Sequence, residues 1–271
     1  MNDANNLMCK MSEVEAALLF SSSNMKVVLE KIQHLIRNRS YVIVKKGKKK
    51  IHDLYYDTPD RKLGSQKIQL RVRTFHKEDY RVTLKVVKTI KKNYSDRMEI
   101  ERNWSKQAFH DILNNLCKMN IMLYGAEGYY NSDPKVTFSN IGLLIIQNRK
   151  TKREIIGAVN KTSGQIELEF DIDMTSILVG EDHEFWFSEL EIESKKSANE
   201  KNLEEIVIEI LRFPEFMSWP HSKLETGIAI TNLFNSKLLE PNQDYDEKNE
   251  LTAAGIKKVS ELLKSGDPYM N

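Results

Sequence analysis

Hydrophobic and polar residues alternate with a period of two through most of the first half of the chain. The stretches SEVEAALLF (12–20), SYVIVKKGKKKIHDLYYDT (40–58), KIQLRVRTF (67–75), YRVTLKVVK (80–88) and RMEIERNW (97–104) put polar side chains on one face and mostly apolar ones on the other. That spacing predicts strands with one buried face. Between the first two, NMKVVLEKIQHLIRNR (24–39) has Val28, Leu29, Ile32, Leu35 and Ile36 at helical spacing behind a Ser/Asn cluster, which predicts a capped helix. A second amphipathic helix is predicted from Ser105 over SKQAFHDILNNLCKM, followed by a loop over YGAEGYYNSDPK (124–135). Strand alternation resumes in TFSNIGLLIIQNRKTKREIIGAV (137–159), QIELEFDID (165–173) and EFWFSELEIESK (184–195), with a turn at 160–164. Helices are predicted over 199–212 and from near His221 through TGIAITNLFNSKLL (226–239).

Antiparallel strands that keep charge on one parity need an arrangement in which that face is shielded and no edge is left open. Closure satisfies both demands. The expected fold class is α+β: a closed antiparallel β-barrel of about eight strands with a charged lumen, its outer apolar face covered by helices. Residues 1–239 are expected to form this domain, and 240–271 a polar linker with a short amphipathic helix docked on it.

Composition narrows the setting. The 271 residues are 40% hydrophobic and 30% charged, ordinary for a globular protein. No apolar run reaches membrane-spanning length and the N-terminus lacks a secretory pattern, so a cytoplasmic protein without membrane contact is expected. Cys9 and Cys117 are too far apart in sequence to suggest a framework, and no two of the six histidines stand four apart, so a thiolate or helix-borne zinc site is not indicated. The net charge is only +2, from 41 basic and 39 acidic residues, so the distribution of charge is more informative than its sum.

Charge recurs at constant parity in strand after strand: Glu13 and Glu15; Arg71 and Arg73; Arg81 and Lys85; Arg97, Glu99 and Glu101; Arg149 and Arg153; Glu167, Glu169 and Asp171; Glu189, Glu191 and Glu193. One such pair reads as a solvated strand face. Seven of them, with Val, Leu, Ile and Phe on the opposite parity, read as one enclosed site whose like charges are separated by ligands of opposite sign. Arginine forks and lysines suit a multiply charged anion, and carboxylates suit a hard divalent cation such as Mg²⁺ or Mn²⁺. A metal bridging a polyphosphate satisfies both sets.

The spaced motifs resemble those of the CYTH domain, the triphosphate tunnel metalloenzyme family. EVEAA (13–17) is similar to the family's Glu-x-Glu-x-Lys strand except at its last position. DLYYDTPDRKL and IQLRVRT match the Asp-Thr-Pro turn and Leu-Arg-x-Arg strand, VTLKV the Thr-Leu-Lys strand, RMEIE and SELEIE the acidic strands, and HSKLETG the Ser-Lys pair. The resemblance runs from about Glu13 to Leu239. It implies that Arg71, Arg73, Lys85, Arg149, Arg153 and Lys223 cradle a triphosphate. It further implies that Glu13, Glu15, Glu189 and Glu191 hold one or two metal ions, with Glu101, Glu169 and Asp171 as further acidic lumen residues.

What the family does with this site is hydrolysis of inorganic, thiamine or nucleoside triphosphates, or cyclisation of ATP. The expectation here is a metal-dependent triphosphatase acting on a triphosphate-bearing small molecule, with Glu13, Glu15, Lys85 and Glu101 in the catalytic set. The alternatives are a nucleotide cyclase and a non-catalytic triphosphate binder. Ala17 stands where the family has lysine and offers no charge or donor. It reads either as natural divergence or as a lysine replaced to trap substrate or product, and the intactness of the other motifs favours replacement. A 5′-triphosphate RNA end is left open by the run KKGKKK (45–50), which reads first as a solvated hairpin tip. The aromatic groups Tyr129–Tyr130 and Phe185–Phe187 read first as packing residues.

Overall fold

Period-two polarity is realised as long antiparallel strands. The computed structural model describes residues 11–21, 25–75, 77–90, 95–123, 125–195 and 200–266. The strands are β1 (Met11–Phe20), β2 (Tyr41–Asp57), β3 (Ile68–Thr74), β4 (Tyr80–Ile90), β5 (Ser95–Asn103), β6 (Leu144–Asn160), β7 (Ile166–Val179), β8 (His183–Ser194) and the two-residue β9 (Met217–Ser218). They neighbour one another in the order β5-β4-β3-β2-β6-β7-β8-β1, and β1 pairs again with β5. Eight strands therefore close on themselves as expected, with β9 added at β1, opposite Leu18 and Leu19. Closure removes the open edges and gives the polar parity a lumen.

Helices cover the apolar parity. On one side α1 (Met25–Arg37) and α5 (Glu200–Ile210) bury Val28, Ile32, Leu203 and Ile206 against Leu18, Phe170 and Leu190 of the barrel. On the other, α2 (Lys62–Ser65), α3 (Lys106–Lys118) and α4 (Pro134–Asn140) pack Leu63, Phe109 and Phe138 on Leu70, Leu84 and Ile100. Ser105 caps α3 by accepting from the Ala108 amide. A third cluster joins Phe185, Phe187 and Trp219 to α6 (Lys223–Asn235) and α7 (Ala253–Ser265). No helix among the described residues is long and apolar enough to cross a membrane.

Two local expectations are corrected. Lys45–Lys50 is no hairpin tip: it lies in the middle of the 17-residue β2. A register shift between Lys45 and Gly47 marks a bulge, and Gly47 adopts φ 117°, so the strand absorbs the extra residue and continues alongside β6. The other concerns 137–159, whose first residues are helical rather than extended. Asp133 accepts from the Lys135 amide and Pro134 occupies the first turn, so α4 takes Thr137–Asn140 before β6 begins.

The segment after α6 is tied down by Asp244, fully buried, whose carboxylate accepts from the Glu240 amide and pairs with Lys258 at 2.6 Å. Gly255 of α7 packs directly beneath: a Cβ there would stand 2.1 Å from the Asp244 carbonyl oxygen. Gly255→Ala is expected to cost about 1–3 kcal/mol by overpacking. The check is a lower urea midpoint together with faster proteolysis within 240–266, and an unchanged midpoint would contradict this packing.

Candidate active site

The barrel encloses a cavity of about 510 Å³, within the usual range for small-molecule sites. Its basic wall comes from Arg71 and Arg73 of β3, Arg81 and Lys85 of β4, and Arg149 and Arg153 of β6. Its acidic wall comes from Glu15 of β1, Glu99 and Glu101 of β5, Glu169 and Asp171 of β7, and Glu191 and Glu193 of β8. Lys223 enters from the first turn of α6, which a capping box between Ser222 and Glu225 holds in place. The register explains the crowding. Asp171 stands opposite Glu191, Glu169 opposite Glu193, and Asp173 opposite Glu189. Like charges directly opposite are destabilising, so each pair needs a cation.

On the basic side that need is reversed, and Asp53 meets it. Its carboxylate, fully buried, accepts two bonds from Arg73 at 2.8 and 2.9 Å and one from Arg149 at 2.5 Å, with Arg71 at 4.0 Å. Burial pushes the Asp53 carboxyl up, but Arg73, Arg149 and Arg71 outweigh burial and hold it well below the usual range. Arg149 also lies over the Tyr55 ring, 4.8 Å from its centroid. Lys85 bridges Glu99 at 2.9 Å and Glu15 at 3.7 Å, while Arg71 reaches Glu99 and Glu101 at 3.5 Å each.

On the acidic side Lys195 serves Glu169 at 2.9 Å and Glu193 at 2.5 Å, and Arg153 and Lys223 are the compensating cations of the other two pairs. Arg153 forks onto Asp173 at 2.7 and 2.6 Å, meets Glu191 at 2.7 Å and also bonds Asp171. Lys223 pairs with Glu191 at 2.6 Å, Glu189 at 2.7 Å and Asp173 at 3.2 Å. Burial raises Glu191, yet Lys223 and Arg153 hold its carboxyl well below the usual range. Burial wins at Glu189 and Asp171, where neighbouring carboxylates add to it, and each is pushed up to about 7.

Of the residues singled out in the sequence, Glu15, Lys85, Glu101, Arg71, Arg73, Arg149, Arg153, Glu169, Asp171, Glu191 and Lys223 line this one cavity. Lys150 and Lys152, the other parity of the same strand, are exposed. Three residues stand differently. The side chain of Glu13 lies outside the described residues, although its backbone pairs with Arg97 in the β1–β5 ladder. Glu189 sits behind the cavity wall, 1% exposed, on Lys223. Ala17 does not line the cavity: its methyl packs on the apolar cluster with Leu19 and Trp219, and its cross-strand partner Glu191 takes its cations from Lys223 and Arg153.

Asp53, Tyr55 and Asp173 were missed. Asp53 and Tyr55 share the parity of Ile51 in IHDLYYD, and Asp173 continues the parity of Glu169 and Asp171, so both signals were present in the strand pattern. No described histidine lines the cavity: His52 bonds Asn148, and His183 packs on Phe234. Phe185 and Phe187 are buried in the third cluster.

Some buried polar atoms of the site have no hydrogen-bond partner among the described residues: Nε of Arg71, Nε and Nη1 of Arg149, Oδ1 of Asp171 and Oε2 of Glu189. Such groups are costly unless a ligand satisfies them. The nitrogens suit phosphate oxygens and the carboxylate oxygens suit a hard cation, so the donor chemistry fits both ligands. Among the described residues no group of three or more Asp, Glu, His or Cys side chains stands ready to hold a metal ion, and the three carboxylates that meet at Lys223 are taken by its ammonium. A cation would therefore take its oxygens by displacing lysine or arginine partners.

No curated protein matches this chain. Among solved structures it is similar to the putative adenylyl cyclase HpAC1 of Hippeastrum, described as having a dominant triphosphatase activity (18% identity, 84% of this chain and 97% of that one, TM-score 0.47). A putative adenylate cyclase of Bacillus halodurans is similar at 19% identity, over 80% and 96% of the chains, with TM-score 0.48. The RNA triphosphatase Pct1 of S. pombe, in complex with the Spt5 CTD, is similar at 15% identity, over 74% and 83%, with TM-score 0.40. The profile of the CYTH domain matches residues 25–218, which include β2 through β9 but neither β1 with Glu15 nor Lys223 of α6. The chain belongs to the CYTH domain family.

Proposed function

We propose that this protein hydrolyses a triphosphate-bearing small molecule inside the barrel, with Mg²⁺ or Mn²⁺, in the cytoplasm. The observation that supports this most is the basic wall with its unsatisfied buried donors on Arg71 and Arg149. Arg71, Arg73 and Arg149, aligned by Asp53, grip phosphate oxygens in pairs, while Arg153, Lys85 and Lys223 add charge at the acidic wall. Binding is an exchange of partners: phosphate takes cations from the carboxylates, and Glu15, Glu191 and Glu193 would then be available to hold the metal. The metal, when bound, offsets charge on the transferring phosphoryl group. Asp171, with a carboxyl pushed up to about 7, can accept a proton from the attacking water near neutral pH. Preorganised charge, rather than covalent chemistry, supplies the rate.

The test is phosphate release from inorganic triphosphate, thiamine triphosphate and ATP, with products separated chromatographically. Turnover with Mg²⁺ or Mn²⁺ is expected, and EDTA is expected to reduce it by at least about 100-fold, since several kcal/mol of charge stabilisation leave with the metal. Release of a cyclic nucleotide in place of phosphate would assign a cyclase. Saturable triphosphate binding with no product from any of the three compounds would establish a binder without turnover instead.

A further inference from the structure

At the end of β3 one aromatic ring stands among charges. Phe75 follows the last residue pair of the β3–β4 ladder, Thr74 with Tyr80, and so sits at the rim of the barrel. It lines the cavity, is half-buried, and belongs to none of the three apolar clusters. Three cations surround it: the guanidinium carbon of Arg81 lies 4.9 Å from the ring centroid, Lys49 Nζ 5.7 Å and the guanidinium carbon of Arg73 5.9 Å. Neither core packing nor solvation explains a phenylalanine here. Arg73 and Arg149 share Asp53, so the ring is continuous with the phosphate-binding wall.

We infer that Phe75 is a stacking platform at the tunnel rim for the base of a nucleoside triphosphate, placing its phosphates on the Arg73 side of the lumen. This rests on the triphosphate-tunnel reading and narrows its substrate class. Every aromatic base has a π-face that can stack on such a ring or on the Arg81 guanidinium that lies over it. The three cations decide between rings: a neutral nucleobase fits beside them, whereas the positively charged thiazolium of thiamine triphosphate is repelled. Inorganic triphosphate has no group to occupy the position.

The experiment measures Kd calorimetrically for the β,γ-imido analogue of ATP and for inorganic imidotriphosphate, on the full chain and on Phe75→Leu and Phe75→Tyr, with phosphate release from ATP followed separately. The expected result is that Phe75→Leu raises the ratio of the two dissociation constants about tenfold and Phe75→Tyr keeps it. Thiamine triphosphate is expected to bind the unsubstituted chain more weakly than ATP. A ratio that moves less than twofold in Phe75→Leu overturns the stacking role even if ATP is hydrolysed. A tenfold shift with no phosphate release upholds the subsite and removes the hydrolase reading. Absence of binding by either analogue overturns both.

Discussion

Replacing Lys223 by methionine is expected to lower kcat for triphosphate hydrolysis by about 10²–10³, the cost of removing one preorganised donor from a charge-stabilising site. The side chain keeps its volume while the ammonium leaves Asp173, Glu189 and Glu191 together. Breaking a buried charge set by removing one partner costs about 3–5 kcal/mol, less whatever protonation recovers. Glu189 sets the pH dependence. Its carboxyl is raised from 4.5 to about 7, so its contribution to stability is fully present below 4.5 and is lost as pH rises through 7. Without Lys223 the carboxyl rises further, and the stability gap between the two proteins widens from pH 5.5 to pH 8. Urea unfolding at the two pH values, beside initial rates, checks both parts. A variant turning over within a few-fold of the parent would remove Lys223 from the phosphate contacts.

Asp53→Asn is expected to be the most destabilising change in the basic wall, by about 3–5 kcal/mol at neutral pH, because it takes from Arg73 and Arg149 the anion they share, while Arg71 keeps Glu99 and Glu101. The sign of its pH dependence is opposite to that of Glu189. The Asp53 carboxyl is held well below 3.8, so its contribution is present above that value and is lost only as pH falls through the lower folded value. The difference between parent and variant should stay constant from pH 8 to pH 5 and shrink in strong acid. Triphosphate should restore part of the lost stability, since its oxygens replace the missing anion. A difference under 1 kcal/mol at pH 7 would show that the arginines do not depend on Asp53.

Most of the site was legible because strand parity is a local property. Once Arg71 and Arg73, or Arg149 and Arg153, are assigned to one face of a strand, barrel closure sends them all to one lumen. Asp53 was harder to see. It stands in the stretch IHDLYYD beside a second aspartate, Asp57, and its meaning comes from arginines 20 and 96 residues away. Ala17 shows the limit of motif reading. Its place in the motif suggests a hole in the active site, yet the side chain packs on Leu19 and Trp219, because β1 leaves the polar lumen for the apolar end at that residue.

By itself the sequence determined the strand and helix periods, the one-sided charge of each strand, the cap at Ser105, and hence an α+β barrel with a charged interior. These follow from nearest-neighbour sterics and from which side of an element can be buried. Only the tertiary structure decided which charges meet. Register set the opposed carboxylate pairs of β7 and β8, and closure of β1 onto β5 brought the two walls face to face. The bulge at Gly47 kept a lysine run inside a strand. Ion pairing in a barrel depends on distances between residues far apart in sequence, and burial turns those distances into the strong shifts seen at Asp53, Glu189 and Glu191.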